Sequence, residues 1–216
     1  MITTATFVQN LKLALQKPLP GADGQAPLSP EGRYPADRLL EIPDNYREGA
    51  VLLLLYPRGD NQFYFVLTRR AEYNGVHSGQ ISLPGGGREP GESFPNTALR
   101  ETWEEVGVPT NRISILGGLT RLYIPPSNYM VYPFVGYTPA EPVFRRDRRE
   151  VAEIMQVPLS VISDPRNRHV EMRDHPQLGR VRIPYMLIHG YKVWGATAMI
   201  LSEFSELLRA NVMRET

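Results

Sequence analysis

Two rhythms of apolar residues divide this chain. In "FVQNLKLALQ", residues 7–16, Phe7, Leu11, Ala14 and Leu15 recur at three- and four-residue steps, the spacing of a short amphipathic helix. From residue 50 the rhythm is that of strands. "AVLLLLY" at 50–56 and "QFYFVLTRR" at 62–70 are apolar or β-favouring runs, and "PRGDN" between them supplies turn residues, so a hairpin is predicted. "ISILGGLTRLYI" at 113–124 and "YMVYPFVGYT" at 129–138 predict two more strands joined by "PPSN". "EVAEIMQVPL" alternates weakly and breaks at Pro158, while "RVRIPYMLI" at 180–188 and "YKVW" at 191–194 read as late strands.

The helical step returns twice. Met199, Leu201, Phe204, Leu207 and Leu208 predict a helix from about Gly195 to Asn211. In "EPGE" at 89–92, Pro90 and Gly91 suit a type II turn; Ser93 can cap a helix, Pro95 is tolerated in its first turn, and Gly107 can end it in the left-handed conformation. A helix over Phe94–Val106 follows. Ala98, Leu99, Thr102, Trp103 and Val106 share one side of it and should pack on a sheet, whereas Arg100, Glu101, Glu104 and Glu105 share another and display charge.

Residues 17–38 interleave Pro18, Pro20, Pro27, Pro30 and Pro35 with Gly21, Gly24 and Gly32, which predicts a loop or tether. Residues 1–40 therefore read as a helix plus a Pro/Gly-rich tether, and 41–216 as the main domain. Strands and helices intermix without regular βαβ alternation, so the expected class is α/β (α+β), with helices packed on a mixed sheet.

Composition narrows the partners. A net charge of +1 over 216 residues gives no reason to expect nucleic acid or an anionic membrane. The absence of cysteine removes disulfides and thiolate sites and suits a reducing cytoplasm. "AVLLLLY" is far shorter than the roughly 20 residues of a membrane span, and the N-terminus lacks a basic region followed by an apolar run, so a cytoplasmic protein is expected.

Glu101, Glu104 and Glu105 stand at i, i+3 and i+4, so their carboxylates meet within one turn near a helix C-terminus, where like charge and the helix dipole both oppose them. A divalent cation would remove that penalty, and all-oxygen donors suit Mg²⁺ or Mn²⁺. The spacing Gly86, Glu92, Arg100-Glu101, Glu104-Glu105, Gly107 resembles the Nudix box, the signature of hydrolases that cleave nucleoside diphosphates linked to another moiety. A chance match over these positions is on the order of 10⁻⁶ from average residue frequencies. Thr102 stands where that family usually has an aliphatic residue.

A second resemblance surrounds the first. "VLTRRAEYNGVHSGQISLPGG" at 66–86 is similar to the segment before the box in the coenzyme A pyrophosphatase branch: Thr68, Arg70, Ala71, His77, Gly79, Gln80, Pro84, Gly85 and Gly86 fit. Gly75 stands where that branch generally has a second arginine, and Leu83 replaces a common phenylalanine. "REVAEIMQVPLSVISDP" and "VWGATAMILSEF" look like later stretches of the same branch.

The resemblance implies a Nudix-like α/β/α sandwich and a small-molecule diphosphate substrate. It also implies Mg²⁺ or Mn²⁺ held by Glu101, Glu104, Glu105 and the Gly86 carbonyl. Arg100 would fix the carboxylates with Glu92. Glu105 is the first choice for the catalytic base and Glu153 the second; Glu150 and Glu153 read equally well as a charged strand edge. Arg70, Arg69 and Gln80 are the expected substrate contacts, and His77 is a base or a hydrogen-bonding support. A homodimer is compatible with this reading.

Overall fold

The computed structural model describes residues 3–32, 42–59, 62–72, 79–175 and 179–212. Helix α1 (Thr4–Ala14) is followed by a short helix α2 (Gly21–Gln25) and a 3-10 turn (Ala26–Leu28). Strands β1 (Arg47–Arg58) and β2 (Gln62–Arg70) form the predicted hairpin, with Leu55 opposite Phe65. Short strands β3 (Ile81–Ser82) and β4 (Gly85–Gly87) lead into α3 (Phe94–Val106). Strands β5 (Ser114–Gly118), β6 (Leu122–Ile124), β7 (Tyr129–Tyr137) and β8 (Val151–Pro158) come next. A short helix α4 (Ser160–Ser163), strands β9 (Arg168–His175), β10 (Gly179–Ile188) and β11 (Tyr191–Trp194), and helix α5 (Gly195–Asn211) complete the order.

The main sheet is mixed. Its order is β3-β2-β1-β7-β5, with β4 on β1, β6 on β7 and β8 on β2. Only the β1–β7 pairing is parallel among the described residues. The run "AVLLLLY" is apolar throughout because β1 is covered on both sides. Ala50, Leu52, Leu54 and Tyr56 pack with Ala98 and Val106 of α3, while Leu53 and Leu55 pack with Met199, Phe204 and Leu207 of α5. The result is an α/β/α sandwich, as the resemblance implies. Strands β9, β10 and β11 form a separate antiparallel sheet.

Several expectations are corrected. The segment 17–38 is not loop throughout: Gln25 and Leu28 are buried, and the Glu203 carboxylate on α5 accepts from Gly21 N at 3.3 Å and Gln25 Nε2 at 2.9 Å. A Cβ at Gly24 would stand 3.2 Å from the Glu203 Cα, so glycine there permits close packing as well as breaking a long helix. The expected division near residue 40 falls among residues outside the described ones. "ISILGGLTRLYI" is two strands, because Thr120 N leaves the ladder and donates to Glu203 Oε1 at 3.2 Å. Strand β9 carries no sequence signal, since "RHVEMRDH" has too little apolar alternation to announce a strand. On α3, Trp103 is 54% exposed and Glu105 only 2%, the reverse of the faces assigned to them.

Candidate active site

The site begins with three glycines on β4. Gly85 has φ of 156°, and a Cβ there would lie 2.6 Å from Val51 Cα, so only glycine lets β4 seat this closely on β1. At Gly86 a Cβ would stand 2.5 Å from the Glu101 carboxyl carbon: the missing side chain is the space that the carboxylate occupies. The Gly86 carbonyl lies over Gly49 of β1. Beyond β4, Gly91 adopts φ of 78° and Glu92 N donates to Glu89 O at 3.1 Å, closing the predicted turn. Ser93 Oγ accepts from Asn96 N, and Gly107 at φ of 75° ends α3. Turn and caps set which way the helix presents its charges.

Arg100 organises that charge. Its Nε and Nη2 grip the two Glu92 oxygens at 3.0 and 3.1 Å, its Nη1 donates to Glu101 at 2.9 Å and Glu104 at 3.1 Å, and its Nη2 also donates to the Gly87 carbonyl at 2.9 Å. Glu92 further accepts from Thr97 Oγ1 at 2.8 Å and Glu89 N at 3.2 Å. The Arg100 fork, with these donors, brings the Glu92 carboxyl down to about 2. Thr102, at the position of the departure from the box, is fully buried and donates to Ala98 O at 2.7 Å, so its hydroxyl is satisfied within the helix.

Glu105 stands apart. It is buried, its Oε2 has no hydrogen-bond partner among the described residues, and the nearest cation is Arg70 Nη1 at 3.8 Å from Oε1. Burial pushes its carboxyl up to about 8; Arg70 and the Gly85 amide oppose that, while the charges of Glu101 and Glu150 add to it. Glu101 is raised too, mainly by burial. Arg70 Nε is itself buried and has no hydrogen-bond partner among the described residues.

The three carboxylates predicted to meet are therefore divided: Glu101 and Glu104 share one Arg100 nitrogen, and Glu105 turns toward Arg70. Among the described residues no three histidine, cysteine or carboxylate side chains already converge as a metal cluster. The donor chemistry nevertheless fits a hard divalent ion. Glu105 is a buried carboxylate with an orphaned oxygen, adjoining the Glu101 carboxylate, and a cation is what would keep both ionised.

The remaining expected residues divide between two faces of the sheet. Arg69 and Glu153 pair across β2 and β8 at 3.4 Å, and Tyr191 Oη donates to Glu153 Oε2 at 2.9 Å. Their neighbours Leu67, Met155 and Val157 pack toward α5, whereas Ile154, next to Glu153, packs with the α3 cluster. Arg69 and Glu153, the expected substrate contact and second-choice base, therefore lie on the α5 side of the sheet, away from α3. Glu150 is the carboxylate from beyond the box that acts electrostatically on Glu101 and Glu105. The β2–β8 register shifts between Arg69 and Arg70, just before Ala71 N donates to the Glu150 carbonyl at 2.8 Å. Gln80 meets Arg70 through the backbone, its carbonyl accepting from Arg70 N at 3.0 Å. Gly75 and His77 lie outside the described residues.

Comparison with known proteins adds a family. The model of the NUDIX domain matches residues 46–175. An uncharacterized Nudix hydrolase NudL of Photorhabdus laumondii is 34% identical over 167 residues, covering 76% of this chain and 87% of that one. Its namesake in Yersinia pestis is 33% identical over 162 residues, covering 74% of this chain and 79% of its own. Among solved structures, a Caenorhabditis elegans Ap4A hydrolase in a binary complex superposes with a TM-score of 0.51 at 16% identity. That match covers 76% of this chain and 98% of the other, and it speaks to fold alone.

Proposed function

Given that this chain belongs to the Nudix hydrolase family, we propose that the bond it cleaves is the pyrophosphate of coenzyme A or its derivatives, giving 3′,5′-ADP and 4′-phosphopantetheine. The observation that supports the reading most is the pairing of an Arg100-locked carboxylate scaffold with a buried, unsatisfied Glu105 facing Arg70. Arg70 and Gln80 belong to the segment that resembles the coenzyme A branch, and the Arg70 side chain reaches Glu105.

The residues divide the work. Glu101, Glu104 and Glu105, with the Gly86 carbonyl, would hold Mg²⁺ or Mn²⁺, which when bound neutralises diphosphate charge and acidifies a coordinated water. Arg100, tied to Glu92, Glu101, Glu104 and the Gly87 carbonyl, fixes the scaffold and leaves no fork free for substrate. Glu105 would take the proton of the attacking water. Arg70, whose buried Nε has no hydrogen-bond partner among the described residues, would meet a phosphate oxygen of the substrate.

A second reading within the same chemistry is ADP-ribose or NADH as substrate, favoured by Gly75 where the branch carries an arginine. A non-catalytic nucleotide sensor is a third, opposed by the presence of all four box glutamates. Turnover of coenzyme A, ADP-ribose and NADH, each with and without Mg²⁺ and followed by mass spectrometry, separates them. Mg²⁺-dependent appearance of 4′-phosphopantetheine is expected; faster cleavage of ADP-ribose or NADH would move the assignment, and no cleavage at all would leave the sensor.

A further inference from the structure

One cluster of charge is not used by the machinery above. Residues 145–149 read "RRDRR", and all four arginines are exposed. Within the loop, Asp147 is taken by Arg149, with Nη2 to Oδ2 at 2.7 Å, and Arg146 donates to the Ala152 carbonyl. Arg145 and Arg148 make no ion pair among the described residues.

The loop does not hang free of the site. Arg145 N donates to Val106 O at 2.9 Å and Asp147 N to Glu105 O at 3.1 Å, so its backbone is fastened to the last turn of α3, on the residue that carries the buried carboxylate. Asp147 O then receives Val151 N at 2.8 Å, which turns the chain into β8 just after Glu150. Like charges held together on one short loop repel, and a passive surface would gain nothing from the arrangement. A polyanion at the adjoining carboxylate site would be drawn to it.

We propose that this loop holds a ribose phosphomonoester of the substrate, outside the diphosphate that is cleaved. The inference rests on the reading of the site as one for a nucleoside diphosphate derivative, and it names what distinguishes that derivative. A phosphomonoester carries nearly two negative charges near neutral pH and presents oxygens that guanidinium forks match in pairs. Arg145 and Arg148, without an ion pair among the described residues, supply the interaction that a glycine side chain at position 75 does not.

Calorimetric titration of the full chain, with Mg²⁺ present, by AMP, 3′,5′-ADP and 2′,5′-ADP tests the loop without requiring turnover. The wild type should bind one doubly phosphorylated nucleotide at least about tenfold more tightly than AMP, the scale of a charge-assisted hydrogen bond. The Arg145→Ala/Arg148→Ala variant should lose that preference, and a lysine pair at the same positions should retain part of it. Preference for the 3′ isomer points to coenzyme A as the source; preference for the 2′ isomer keeps the loop's role and points to a 2′-phosphorylated dinucleotide. Equal binding of all three by the wild type, or a preference that survives in the alanine variant, overturns the proposal. Intact phosphate preference in a protein that does not cleave coenzyme A would support the loop and sink the substrate reading instead.

Discussion

Glu203 on α5 and Glu105 on α3 are buried glutamates on opposite faces of the same sheet, 0% and 2% exposed. Glu203 is satisfied: Gly21 N, Thr120 N and Gln25 Nε2 all donate to it, at 3.3, 3.2 and 2.9 Å. Among the described residues Glu105 has one oxygen without a partner and a cation no closer than 3.8 Å. A carboxylate is taken out of water at a large cost, which hydrogen bonds can offset. Where the fold supplies those bonds the residue is a structural pin; where it withholds them, the residue awaits something brought from outside. The same side chain thus does two jobs, and its partners tell which.

The largest effect should come from breaking the open member of the pair. Glu105→Gln keeps shape and removes the anion, so turnover should fall by about a thousandfold or more, on the order of 4 kcal/mol of transition-state stabilisation, with the circular dichroism spectrum unchanged. The sign of its stability effect also distinguishes it. A carboxyl raised to about 8 in the folded protein favours folding fully below its ordinary range and loses that contribution as pH rises through about 8. Without metal, the variant should therefore match or exceed the wild type in melting temperature at alkaline pH. A lower melting temperature for the glutamine variant there would contradict the assignment.

Breaking the satisfied member should do the opposite. Glu203→Ala strands three donors in the interior and should cost about 3 kcal/mol of folding stability, while Mg²⁺-dependent turnover per folded molecule is retained. Urea unfolding read beside an active-site titration checks both halves. If turnover per folded molecule fell as it does for the Glu105 variant, the two faces would not be independent.

Glu92 lies between these extremes, bonded on every side yet part of the scaffold. Its carboxyl is lowered to about 2, so its contribution is complete above the ordinary carboxylate range and is lost as pH falls through about 2. Glu92→Gln should cost about 1–2 kcal/mol near neutral pH, a figure reduced for the partial solvent access of the pair, and the gap to the wild type should close in acid. Melting curves across that pH range would show it; a gap that stayed constant would mean that the ion pair with Arg100 is not its source.

Local rules made much of this legible. The ends of α3 and α5 follow from Ser93, Gly107 and the apolar spacing, and the box glycines and glutamates were legible as a group because their positions are fixed within one turn and one helix. What escaped depends on distant partners. The turn at Gly21–Gln25 is held by α5, Thr120 leaves its strand for the same carboxylate, and Trp103 and Glu105 exchange the faces given to them by helical geometry alone. Proline-rich spacing and a helical wheel carry no information about what arrives from elsewhere in the chain, 182 residues away for Gly21 and 83 for Thr120.

The smallest effect tests the finest point. Alternation along β2 and β8 sets Glu153 on the α5 side, where it receives the Tyr191 hydroxyl at 2.9 Å and Arg69 at 3.4 Å, both partly exposed to solvent. An ion pair of that kind contributes only about 0–1 kcal/mol. Glu153→Gln, which keeps an acceptor for Tyr191, should shift stability by no more than about 0.5 kcal/mol and leave turnover within about twofold of the wild type. Glu150→Gln belongs beside it, because Glu150 is the outlying carboxylate whose charge is felt at Glu101 and Glu105. A loss of several hundredfold for the Glu153 variant, with Glu150→Gln unaffected, would restore Glu153 as the base, and sheet register would then be the wrong guide to which face carries the chemistry.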